Sequence, residues 1–228
     1  MARSYTQLVN KALRLFQLKR EINHLIPSDD TFPRPFITIA RDPGSGGKPI
    51  AMAVAKKLGF EFVDQQIIDE IARSTKKRRA IIKELDEKSR SHIDDIIHSV
   101  LNVEYVSDLV FIAEMVKVII AYACKGNTVI LGRGANSFTP QAKGLHVNIT
   151  APYPIRVRRA MEYEGYDYDQ AREVIAKVEA EREEFVEQYF VTDNKRRNVF
   201  DLTINTTYFS VARSRDIIVA AFKQKFSE

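Results

Sequence analysis

Residues 42 to 49 read Asp42-Pro43-Gly44-Ser45-Gly46-Gly47-Lys48-Pro49. Glycines this dense permit positive φ angles, so several backbone N–H groups can turn toward one point, where phosphate oxygens are the natural occupant. A helix starting at the loop would add the partial positive charge of its N-terminus, and Lys48 would bring a mobile ammonium within reach of β and γ phosphates. Against the pattern G-x-x-x-x-G-K-[ST], Gly47 and Lys48 fit, whereas Asp42 and Pro49 do not. Asp42 brings a carboxylate near the phosphate path. Pro49 removes a backbone donor and the hydroxyl that often approaches magnesium, and Ile50 supplies no replacement.

Such a loop needs a strand before it and a helix after it. Phe36-Ile37-Thr38-Ile39-Ala40 is a short β-rich run, and a helical pattern follows over residues 49–58, with proline allowed in the first turn and Gly59 as a stop. Residues 60–63 predict a second strand ending at Asp64, before a helix over 66–72. Residues 75–125 read as almost wholly helical. Buried-strand runs recur at 128–131, 145–149 and 201–205, none with a hairpin partner nearby. Helical patterns occupy 154–163, 169–190 and 210–226. Five short strands separated by helices predict an α/β fold: a five-stranded parallel sheet covered on both faces. Ahead of it, residues 3–25 place Leu8, Ala12, Leu15, Leu18, Ile22 and Leu25 at helical spacing, and the prolines at 27, 33 and 35 make a connector. The expected division is therefore an N-terminal helix and linker over 1–35 and one domain over 36–228.

The run from Ile37 through Arg41, Gly44, Gly47 and Lys48 to Ala51, with Leu58-Gly59-Phe60-Glu61-Phe62-Val63-Asp64, resembles the cytidylate-kinase-like family of P-loop proteins, relatives of the nucleoside monophosphate kinases. Val129 to Asn136, Val147 to Pro152 with Arg156, Glu181-Arg182 and residues 201–205 extend the resemblance across 36–226. It implies a P-loop three-layer sandwich with a helical insertion over 75–125 and a mobile lid at about 164–197. It also implies transfer of the γ-phosphoryl of ATP, with Mg2+, to a nucleoside monophosphate, with CMP or dCMP as acceptor. Cytidylate kinases usually carry Asp where this chain has Arg41, and Gly-Thr where it has Pro49-Ile50, so Arg41 resembles a divergent branch.

Phosphoryl transfer between two phosphorylated partners needs cations that neutralise oxygens while holding donor and acceptor in line. Gly44, Ser45, Gly46, Gly47 and Lys48 are the expected ATP-binding residues. Arg133 follows the third strand between Gly132 and Gly134, at the carboxyl edge where open parallel sheets bind ligands, and is assigned to the acceptor phosphate. Arg41 is placed on the substrate side. The resemblance implies a lid-hinge role for Arg156, with Arg158 and Arg159 beside it open to a solvated role. Arg182 sits among Glu179, Glu181, Glu183 and Glu184, where ordinary helical ion pairs compete with a lid role as a third catalytic cation beside Lys48 and Arg133. Asp64 is a candidate to orient the acceptor or a magnesium-bound water and equally a candidate cap of the next helix, two roles that do not exclude each other.

Composition removes other classes. The 228 residues carry 35 Lys+Arg against 30 Asp+Glu, a net charge of +5 that weakly favours an anionic partner. Cys124 is the single cysteine, so no intramolecular disulfide forms and no thiolate cluster holds zinc, which fits a cytoplasmic setting. His24, His92, His98 and His146 include no i,i+4 pair, and no protein metal ligands are assigned. The apolar stretch 109–124 is interrupted by Glu114 and Lys117, so no membrane span is expected. Lys76-Lys77-Arg78-Arg79 is followed by Glu84, Asp86 and Glu87 without interleaved aromatics, which points to a solvated helix face rather than a nucleic-acid site. Nucleotides are thus the expected partners, with a homodimer through residues 3–25 or 75–125 as a separate expectation. A non-catalytic nucleotide-binding protein and a kinase of another hydroxylated acceptor are the alternatives.

Overall fold

The computed structural model describes residues 32–85, 109–189 and 200–226. The expected helix at 3–25, part of the helical stretch at 75–125 and Lys195-Arg196-Arg197 lie outside the described residues. Strands β1 (Phe36–Arg41), β2 (Glu61–Val63), β3 (Thr128–Leu131), β4 (Gly144–Thr150) and β5 (Leu202–Asn205) form one five-stranded sheet in the order β2-β3-β1-β4-β5. Every pairing is parallel. β1 is central because its β-branched residues are buried on both faces: Ile39 registers with Leu131 on one side and Val147 on the other. All five carboxyl ends consequently share one edge. That edge presents Arg41, Asp64, Arg133, Thr150 and Thr206, from β1 to β5 and the turns that follow them.

Helices α1 (Gly47–Leu58), α2 (Gln65–Arg73), α3 (Thr75–Lys83), α4 (Leu109–Lys125), α5 (Tyr153–Glu164), α6 (Tyr168–Tyr189) and α7 (Val211–Phe226) cover the sheet. The two-residue period of β1 divides the core. Phe36 joins Ile68 of α2, Met115 and Ile119 of α4 and Phe138 on one face. Ile37 and Ile39 join Ile50 and Val54 of α1 with Ile218 and Phe222 of α7 on the other. The apolar run at 109–124 is therefore a core crossover helix from β2 toward β3. Among the described residues, no helix is long and apolar enough to cross a membrane.

Element ends differ from the sequence reading by a residue or two. α1 starts at Gly47, ahead of Pro49, because Gly46 serves as its N-cap in the left-handed region with φ 83°. The helical stretch after Asp64 is divided at Ser74, whose extended backbone ends α2 and whose hydroxyl accepts from the Lys77 N–H to start α3. Lys77 pairs with Glu70 and Arg78 with Glu114, so two of the four basic residues in that run are satisfied within the protein.

Candidate active site

The glycine loop joins β1 to α1 at the centre of the carboxyl edge. Gly44 and Gly46 have φ of 75° and 83°. No side chain caps α1, so its first N–H groups have no side-chain acceptor. Ser45 is fully buried, and its hydroxyl donates to the Asp42 carbonyl at 2.9 Å. Its side chain thus braces the turn. A Cβ on Gly44 would lie 2.9 Å from the Arg156 carbonyl oxygen. Gly44→Ala is expected to cost about 2 kcal/mol or more from the positive φ and this collision together, measured as a lower denaturation midpoint.

The Lys48 ammonium donates to Asp64 Oδ2 at 2.7 Å, while Asp64 Oδ1 caps α2 by accepting from the Ile67 N–H at 3.1 Å. Asp64 therefore caps α2 with one oxygen and holds the loop lysine with the other. Burial would raise its carboxyl, but the hydrogen bond from Lys48, the Ile67 and Gln66 amides and the Lys48 charge together hold it below the usual range. A depressed carboxyl contributes stability above about pH 4 and loses it as pH falls through the folded value. Denaturation midpoints of the protein and of Asp64→Asn should accordingly converge in acid and separate at neutral pH.

Arg41 leaves the end of β1 and runs through a slot made by two glycines. A Cβ on Gly47 would sit 2.5 Å from Arg41 Cβ, and one on Gly132 would strike its guanidinium. Only glycine leaves room there. Burial, then the charges of Arg182 and Arg133, lower Arg41 to about 10, against a partial opposing pull from Asp64. It remains a cation at neutral pH. Arg182, from α6, donates to the Arg41 carbonyl at 3.0 Å and is likewise lowered by burial, with Asp42, Glu179 and Glu181 opposing. Arg133 adopts φ 55° between two left-handed glycines, and its fork is filled by Asp69 of α2. Its guanidinium carbon lies over the Phe185 ring, 5.0 Å from the centroid.

Two cavities meet at the loop. A charged one of about 820 Å3 includes Arg41, Asp42, Lys48, Asp64, Asp69 and Arg182 in its wall. A more enclosed one of about 700 Å3 lies on the other side, against Ile50, Tyr163, Thr206, Phe209 and Val211. Gly44, Gly46 and Pro49 line both. The Ser45 carbonyl between them accepts from Arg159 at 3.2 Å and from the Thr206 hydroxyl at 2.8 Å. Arg159 also donates to the Thr206 carbonyl at 2.7 Å, tying α5, the loop and the segment after β5 together. Thr206→Val should cost about 1–3 kcal/mol by leaving that buried carbonyl short of a donor, read as a lower midpoint with weakened nucleotide binding.

A sequence model of the cytidylate kinase-like family matches residues 36–208. The chain belongs to that family. A cytidylate kinase from Sulfolobus acidocaldarius is 25% identical over 191 residues, covering 83% of this chain and 94% of the relative. Another from Staphylothermus marinus is 32% identical over 105 residues, a match spanning 46% of this chain and 58% of that relative's length. A crystal structure of an uncharacterized protein from Eubacterium ventriosum shares the fold, with a TM-score of 0.58, 18% identity and coverage of 83% and 99% of the two chains.

In this member of the cytidylate kinase-like family, Arg41, Lys48, Asp64 and Arg182 converge on the charged cavity with the glycine loop. Arg133 stands behind Asp69 rather than in the cavity wall. Arg156 is buried, pairs with Glu179 of α6 at 3.2 Å and stacks over Tyr153 at 5.5 Å. It therefore couples α5 to α6 and faces neither cavity. Arg159, left open to a solvated role by the sequence, is a loop-bracing residue. Sequence reasoning also missed Thr206 and Asp69. Their signal was positional: Thr206 follows β5 at the ligand edge, and Asp69 is five residues beyond Asp64 on a helix starting at that edge.

Proposed function

We propose that the protein is an ATP-dependent phosphotransferase acting on a nucleoside monophosphate, with CMP or dCMP as acceptor. The observation that carries this reading is the pair of unlike cavities meeting at one glycine loop. The partly apolar cavity beside Phe209 and Ile50 suits a donor base. The loop amides and Lys48 suit its phosphates, and the charged cavity suits a phosphorylated acceptor.

In the transfer, an acceptor phosphate oxygen attacks the γ-phosphorus and forms the new P–O bond. The β,γ-bridging P–O bond breaks and its electron pair stays on ADP, so no protein nucleophile is needed. Lys48 leaves Asp64 to contact the β and γ oxygens. Arg41 and Arg182 neutralise charge at the junction of donor and acceptor, where fixed cations in a partly dry site act most strongly. Magnesium held mainly by phosphates and water needs only one or two protein carboxylates, and Asp42 and Asp64 line this cavity beside the loop, so the residues fit it. When bound, that ion would supply further neutralisation of phosphate charge. Pro49 and Ile50 contribute no oxygen ligand from their side chains.

The acceptor half of the cavity is walled by Gln65, Gln66, Asp69, Glu70 and Arg73 of α2, and among the described residues no aromatic side chain lines it. That polarity favours, as a second reading, another hydroxylated acceptor. Release of ADP from magnesium-ATP against CMP, dCMP, UMP, AMP and GMP tests both. Turnover dependent on CMP or dCMP supports the first reading. Silence across the panel with ATP bound contradicts it and turns attention to polyhydroxylated acceptors.

A further inference from the structure

Lys48 and Arg133, expected from the sequence to meet donor and acceptor phosphates, each hold a carboxylate from α2 or its N-cap. Lys48 holds Asp64, the N-cap of the helix, and Arg133 holds Asp69. The second pair is two-pronged: Nε donates to Oδ1 at 3.0 Å and Nη2 donates to Oδ2. A carboxylate seated this way presents two oxygens to a guanidinium fork as a phosphate does. Asp69 also lines the charged cavity, whereas Arg133 does not, so the carboxylate stands between ligand space and the arginine. Neighbouring charges do not duplicate it, since Glu70 pairs with Lys77 and Arg73 lies over the Phe111 ring. α2 itself is anchored by Ile68, Ile71 and Ala72 in the core.

We propose that Asp69 is an internal competitor for phosphate at Arg133, a specificity-setting carboxylate on α2 that an acceptor must displace to reach the arginine. The inference rests on the phosphate-acceptor reading above. Its consequence is a charge threshold. A dianionic phosphate outcompetes a singly charged carboxylate, whereas an uncharged hydroxylated ligand leaves the Asp69–Arg133 pair closed. The opposite role, a bracket that merely positions Arg133, predicts the opposite sign on substitution.

Calorimetric titration with inorganic phosphate separates the two. Asp69→Asn is expected to bind phosphate about five- to tenfold more tightly than the unsubstituted protein, and Glu61→Gln, at the amino end of β2 and outside both cavities, to change affinity by less than about twofold. The gain should vanish when Asp69→Asn is made in an Arg133→Gln background, because the competition acts through that arginine. Unchanged or weaker phosphate binding in a folded Asp69→Asn overturns the proposal, as does an equal gain in Glu61→Gln or persistence of the gain without Arg133. If Asp69→Asn does not fold, Asp69→Ser is titrated under the same criteria. No turnover enters the readout, so failure of the nucleotide panel would overturn the kinase reading alone.

Discussion

Lys48→Ala is expected to reduce turnover by about 10²- to 10³-fold, the scale of removing one fixed charge donor from a developing phosphoryl transition state. The fold should persist. The Lys48 side chain is 58% exposed, and its pairing with Asp64 is a partly solvated ion pair of modest worth. After truncation Asp64 still accepts from the Ile67 N–H and still caps α2. ADP release measured beside thermal denaturation therefore separates the effects: a collapse of turnover with a shift of only a few degrees. Retained turnover would remove Lys48 from the mechanism, and global unfolding would assign it to structure.

Arg41→Met has a less intuitive sign. The methionine keeps an unbranched stem for the slot between Gly47 and Gly132, while the charge is lost. Arg41 is lowered to about 10 by burial and by Arg182 and Arg133, so its charge opposes folding at every pH below that value. Among the described residues, no carboxylate forms an ion pair with it. Removing the charge should leave the unliganded protein at least as stable as before. Turnover should still fall about 10²-fold, because the cation at the junction of the two cavities is gone. Phosphate should also stabilise Arg41→Met less than the unsubstituted protein, since anion binding no longer relieves the crowding of guanidinium groups. A sharp drop in the midpoint with turnover unchanged would make Arg41 a packing residue.

These sign differences arise from how the edge of the sheet is assembled, and only part of that assembly was legible in the sequence. The five parallel strands, the glycine loop and the placement of Arg41, Lys48 and Asp64 at one edge follow from local patterns: β-branched runs, glycine spacing and a lysine at the start of a helix. The long-range bonds were not legible. Asp69 meets Arg133 across 64 positions, Arg159 meets the Ser45 carbonyl across 114, and the Thr206 hydroxyl meets it across 161. Arg133 shows the limit most clearly. Its glycine neighbours signal a special backbone, which its φ of 55° carries, but no local pattern tells which way the guanidinium turns. Arg156 and Arg159 lie one turn apart on α5 with the same chemistry, and packing alone sends one to Glu179 and the other to the loop.

The proposed function requires the two cavities to act as one in-line site with the glycine loop between them. The most direct test is calorimetric binding of a bisubstrate analogue in which adenosine and cytidine are joined through five phosphates. A continuous site predicts affinity at least about 10²-fold above that for ATP or CMP alone, because one molecule then fills both cavities without a second loss of translational freedom. Affinity no greater than that for ATP alone would show that the charged cavity does not receive the acceptor.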